Sequence, residues 1–198
     1  MGTRHAIIVK GNGKILVQQY GQWDGYFSVQ GIAVVEFVKN NIGLLSNPKY
    51  AVETFEDNVK VLNRNQANKL VEDLSEVYKK NGFENMECRV LCPSLSRDTG
   101  ARILDLIQVN YKGNLPLYFT PLKEINDWCE YVYILDLDNQ EVACLTNHRV
   151  NNAITYACPQ VTEQLSMECF AKLSFAEIKK KSVKTILKQV KEVNADLI

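Results

Sequence analysis

The chain has 198 residues, 46% of them hydrophobic and 23% charged, which is enough apolar material to bury a core and excludes a disordered segment. Lys plus Arg and Asp plus Glu each number 23, so no overall charge selects a polyanionic partner. No apolar run reaches the ~18 residues needed to span a bilayer.

Residues 4–9 read as a short apolar strand, Gly11-Asn12-Gly13 as hairpin punctuation, and residues 14–20 as the returning strand. Then comes Tyr20-Gly21-Gln22-Trp23-Asp24-Gly25-Tyr26, running on to Gln30-Gly31, which crowds aromatics, a carboxylate and glycines into one stretch. Gly21 and Gly25 let the backbone turn out of the strand, and Asp24 can accept local N–H groups. Gly31 opens an apolar helix over 32–39, stopped by Asn40, Asn41 and Gly43. Such a loop before a helix start can receive an anion on its N–H donors, or can simply be held by Asp24 and Trp23.

Ser46-Asn47-Pro48 can start a short helix with proline in its first turn. Asn63-x-x-Gln66 is a capping pair for a helix over 64–80, with Leu70, Leu74 and Val77 as its apolar stripe and Asn81-Gly82 as its stop. Residues 83–93 read as extended or loop. Ser96-Arg97-Asp98-Thr99-Gly100-Ala101 precedes a buried helical face of Ile103, Leu104, Leu106 and Ile107. Ser96 is its expected N-cap, Asp98 lies in its first turn, and Gly100 marks a close approach of backbone or ligand. Residues 131–136 and 141–145 form a second hairpin around Asp138-Asn139, whereas residues 146–169 show no clear period. Ser174-x-x-Glu177 is a capping box for a last helix striped by Ile178, Ile186, Leu187, Val190 and Val193. Its lysines, among them Lys180, Lys181, Lys184 and Lys188, either keep it soluble or meet a nucleic acid or an acidic protein.

Chemistry-bearing residues are sparse. Only His5 and His148 can serve as imidazole bases, and neither belongs to a nucleophile motif. Asp24, Asp98, Asp136 and Asp138 would hold Mg²⁺ only by converging in space. Cys88, Cys92, Cys144 and His148 make a conceivable zinc set, but the spacing is not that of a standard zinc knuckle. No metal and no cofactor is therefore assigned, and the catalytic residues are unknown. The first residues lack the basic-then-apolar order of a secretory signal, and Ala6 spoils Gly2 as a myristoylation site. Six cysteines in such a chain read as reduced, buried thiols, and a cytoplasmic location is expected.

Met1-Gly2-Thr3-Arg4, the Tyr20–Tyr26 stretch with Gln30-Gly31, Ser96 to Ala101, and the strand from Trp128-Cys129-Glu130-Tyr131 together resemble an uncharacterised family of phages, prophages and other mobile elements. Phe27 and Val29 stand where that family usually has proline and glycine, which removes a stiff turn and a permissive backbone site. The resemblance covers roughly residues 1–145 and stops before the basic helix. It implies a phage or mobile-element accessory protein, in the host cytoplasm, that counters host defence by binding a host protein or ribonucleoprotein. An anti-CRISPR inhibitor of an effector nuclease is the leading case.

The expected fold is α+β: an antiparallel sheet from two hairpins packed on central helices, with a basic C-terminal helix. Residues 1–145 are expected as the core domain, and 146–198 as an irregular segment and helical extension. The expected contact residues for a ligand or partner are Trp23, Asp24, Tyr26, Arg97 and Asp98. The alternative is a small enzyme or nucleotide-binding module, with its pocket between the Trp23-Asp24-Gly25 loop and the helix start at 96–101.

Overall fold

A computed structural model describes residues 2–110 and 113–195; Met1 of the first motif lies outside them. Strands β1 (His5–Gly11) and β2 (Lys14–Gly21) form the expected hairpin, turned by Asn12 and Gly13 with positive φ. A π-type turn over Phe27–Gly31 runs into α1 (Ile32–Asn40), so the helical path begins before Gly31. After the single turn α2 (Ile42–Leu45), Asn47 caps α3 (Pro48–Asn58) by accepting from the Tyr50 N–H at 3.3 Å. The short helix expected from Ser46-Asn47-Pro48 thus runs for three turns, with Pro48 in the first.

Strand β3 (Val59–Leu62) leads to α4 (Arg64–Lys80), where Asn63 and Gln66 form the expected reciprocal capping box. Only Ala67 of α4 is buried; Leu70 and Leu74 are half-buried and Val77 is exposed, so its stripe faces a shallow layer rather than the core. Residues 83–93 hold one short helix, α5 (Cys88–Leu91), where loop or extended chain was expected. Helix α6 (Ile103–Val109) follows a 3-10 turn at Gly100–Arg102. Ser96 therefore caps a turn, taking the Asp98 N–H at 3.1 Å, and not the helix itself.

Strand β4 (Leu115–Tyr118) pairs in parallel with β3 as a small second sheet, and α7 (Leu122–Trp128) returns the chain to the main one. Strands β5 (Tyr131–Asp136) and β6 (Glu141–Thr146) make the second hairpin. After the short α8 (Pro159–Thr162), β7 (Glu168–Ser174) pairs with β6. The five-stranded order is β2-β1-β5-β6-β7, and the hairpins join through a parallel β1–β5 pairing inside an otherwise antiparallel sheet. The fold is α+β. Residues 146–198, read from sequence as an extension, supply the edge strand β7 and core side chains Phe170, Ile186 and Val190.

The expected C-terminal helix is present but interrupted. Ser174 caps α9 (Phe175–Lys180), Lys181 is extended, and Ser182 caps α10 (Val183–Val193). The ammonium of Lys39 on α1 donates to the carbonyls of Ile178, Lys179 and Lys181 at 3.0, 3.3 and 2.7 Å, satisfying the end of α9 with a cation.

Both faces of the sheet are covered. On one, Ile7, Val9, Tyr133 and Leu135 pack under α1, α3, α6, α9 and α10. On the other, Ala6, Ile8, Val132 and Ile134 pack under α7, α8 and Tyr156. Strands buried on both faces lose polar alternation, which explains the near-continuous apolar runs 6–9 and 131–135.

Candidate functional site

The motif segments, scattered along the sequence, meet at one end of the main sheet. The Trp23 indole N–H donates to Asp98 Oδ1 at 2.8 Å, and the Gln22 N–H donates to the Arg97 carbonyl at 2.9 Å. Gln30 Oε1 accepts the Ala101 N–H at 2.9 Å. Gly100 has φ 53° and faces Gln30 so closely that a Cβ there would sit 2.5 Å from Oε1. The close approach inferred for Gly100 is thus the loop itself. From the other side, the Gly25 N–H donates to the Thr3 carbonyl at 3.1 Å, and the buried Tyr133 hydroxyl donates to the Gly25 carbonyl at 2.7 Å. The indole also lies against Gly2.

The loop is consequently held by neighbours rather than by Asp24. Asp24 occupies the left-handed region with φ 52°, is exposed, and makes no hydrogen bond among the described residues. Trp23, Tyr26 and Val29 are 47%, 43% and 45% exposed, three large apolar side chains within seven residues. Tyr26 leans on Tyr131 with ring centroids 5.9 Å apart, and His148 leans on Tyr131 at 5.8 Å. His148 Nε2 lies 3.8 Å from Glu130 Oε2. No local period links Glu130 or His148 to Tyr26; the one signal in the sequence is that residues 128–131 share the resemblance.

Beneath this surface, His5 is buried and both its ring nitrogens lack partners among the described residues. A Cβ on Gly21 would collide with its imidazole, so the ring fills the space that glycine leaves. Burial holds the His5 pKa down at about 3, making it neutral packing material rather than a working base. Burial likewise raises the Tyr131 phenol to about 12 and the Cys129 thiol to about 12, so both stay protonated.

A cleft of about 670 Å³ opens beside the motif, along the outer edge of β2. Its walls include Tyr20, Arg64, Glu72, Cys88, Arg97 and Trp128. Of the expected contact residues, Arg97 alone reaches it; Trp23, Asp24, Tyr26 and Asp98 do not line it. Arg64 is engaged by Glu124 at 2.6 and 2.7 Å and by the Tyr118 hydroxyl at 2.8 Å. Burial raises the Cys88 pKa, which keeps it a thiol and a poor nucleophile.

The remaining candidates separate in space. Asp136 and Asp138 converge at the opposite end of the sheet on Lys10, not on Asp24 or Asp98. Cys144 lies in the core while Cys88 and Cys92 belong to the α5 region, and no group of three or more metal-ligating side chains forms among the described residues. Between the last two helices Lys181 pairs with Glu177 and donates to Gln189 at 2.9 Å, and on α10 Lys188 lies 3.7 Å from Glu192. Lys180 and Lys184 are exposed. No described helix is long and apolar enough to cross a membrane.

Comparison with protein-family models, with curated proteins and with solved structures finds no match. Function is therefore read from this chain's own geometry.

Proposed function

We propose that the protein is a phage or mobile-element accessory protein that acts in the host cytoplasm by binding a host defence protein or ribonucleoprotein, with a CRISPR effector as the first partner to test. The observation that carries the binding reading is the pre-formed aromatic loop. Trp23 and Tyr26 are exposed, yet Asp98, Gln30, Thr3 and Tyr133 fix the backbone between and around them. Exposed aromatics on a fixed backbone bind at low entropic cost and are the residue types that dominate interfaces. The resemblance of the same segments to a mobile-element family supplies the biological context.

The test is plaquing of a CRISPR-targeted phage on hosts expressing the wild type or a Trp23→Ala/Tyr26→Ala variant, with circular dichroism to check the fold. Wild type should restore plaques and the folded variant should not. Restoration by both would remove the loop from the interface, and restoration by neither would reject that effector as the partner.

A further inference from the structure

The cleft along β2 carries a second reading, independent of the partner bound by Trp23 and Tyr26. Strand β2 is an edge strand, and its outward main-chain groups are those of alternate residues. Two bonds fix which ones. The Gln18 carbonyl accepts the Thr120 N–H at 3.0 Å, and the Gln22 N–H donates to the Arg97 carbonyl at 2.9 Å. By the same alternation the N–H and C=O of Tyr20 point out of the sheet between them. No outward partner for either group is found among the described residues. Thr120, Tyr20 and Arg97 all line the cleft, so this donor–acceptor pair borders it.

Size decides what can use that pair. From Gln18 to Gln22 the open edge is about 13 Å long at ~3.3 Å per residue, too short for an added strand of ordinary length. The cleft volume of about 670 Å³ falls in the ~300–1,000 Å³ range of small-molecule sites. The walls then select the chemistry. Trp128 is 44% exposed and is met by Tyr20 edge-on, with centroids 6.1 Å apart and planes at 78°, leaving indole surface for a flat ring. Arg64 and Glu124 neutralise each other, whereas the Arg97 guanidinium has no carboxylate partner among the described residues. Glu72 supplies an acceptor of the kind that takes a sugar hydroxyl.

We propose that this cleft binds a nucleoside monophosphate, its base edge on the Tyr20 main chain, its ring against Trp128 and its phosphate on Arg97. One unpaired arginine, in a cleft that also carries the Glu72 carboxylate, suits a single phosphate group and disfavours a triphosphate.

Titration of the full chain with AMP, GMP, CMP and UMP at ~1 mM, with nucleosides, nucleoside triphosphates and inorganic phosphate in parallel, tests this by melting temperature and tryptophan fluorescence. At least one monophosphate should raise the Tm, quench fluorescence and slow hydrogen exchange at the Tyr20 amide. The quench should vanish in Trp128→Ala. Arg97→Ala, an exposed side chain whose loss leaves the Gln22 bond intact, should weaken the monophosphate about tenfold and leave its nucleoside unchanged. The proposal is overturned if no monophosphate binds, if inorganic phosphate or a triphosphate binds as tightly, or if Arg97→Ala binds like wild type.

Discussion

The two ends of the main sheet solve the same problem, tying loops to strands, with opposite chemistry. At the hairpin-turn end, Lys10 donates to Asp136 at 3.2 and 3.1 Å and lies 3.1 Å from Asp138. Asp136 is fully buried and also accepts from the Tyr156 hydroxyl at 2.9 Å, the Asp138 and Asn139 N–H groups, and the Asn139 amide. Asp138 in turn takes the Asn12 and Gly13 N–H groups at 2.6 and 3.1 Å, stitching one hairpin turn to the other. Burial opposes both charges, but these bonds more than offset it, raising the Lys10 pKa and lowering that of Asp138. At the motif end the locks are single neutral or half-exposed bonds, and the aromatic side chains stay outside. The closed end turns its charges onto one another, and the open end leaves aromatic surface exposed.

The largest effect expected from this contrast is at Asp136. Asp136→Ala leaves the Lys10 ammonium with Asp138 alone and takes the carboxylate from the Tyr156 hydroxyl and the Asp138 and Asn139 N–H groups, and should cost ~3 kcal/mol in urea denaturation. A loss below ~1 kcal/mol would show that this network does not anchor the hairpin-turn end. Gly100→Ala attacks the other end through a positive φ and the Gln30 contact, and should cost ~1–3 kcal/mol by the same measurement.

Acid should find the motif end through His5. Folded His5 stays neutral down to about pH 3, while the unfolded imidazole gains its proton below 6.5. The unfolded state therefore binds more protons in that window, so stability falls as pH drops through it, by up to ~1.4 kcal/mol per unit. His5→Phe should flatten that slope, and an unchanged slope would assign the acid sensitivity elsewhere. The smallest effect is expected away from both ends. Lys184→Glu with Lys188→Glu should alter stability by no more than ~0.5 kcal/mol and leave partner binding through Trp23 intact. A large loss of binding would move the interface to α10.

Elements with strong local signals are legible in the sequence. The two hairpins, the Asn63–Gln66 capping box, the Ser174 cap and the α+β class all rest on interactions within a few residues, which local patterning reports. It could not place Ser182 as a second cap, because the helical stripe continues across the break and Lys39, far away in sequence, takes up the carbonyls at the end of α9. It singled out Trp23, Arg97 and Asp98 without showing that indole and carboxylate bond to each other, or that Asp24 stays outside the network. Tertiary structure alone decided the parallel β1–β5 pairing that aligns Lys10 with Asp136, and the cleft that gathers Tyr20, Arg97 and Trp128. These contacts span 31 to 126 residues of chain, and no period of 2 or 3.6 carries information over such distances.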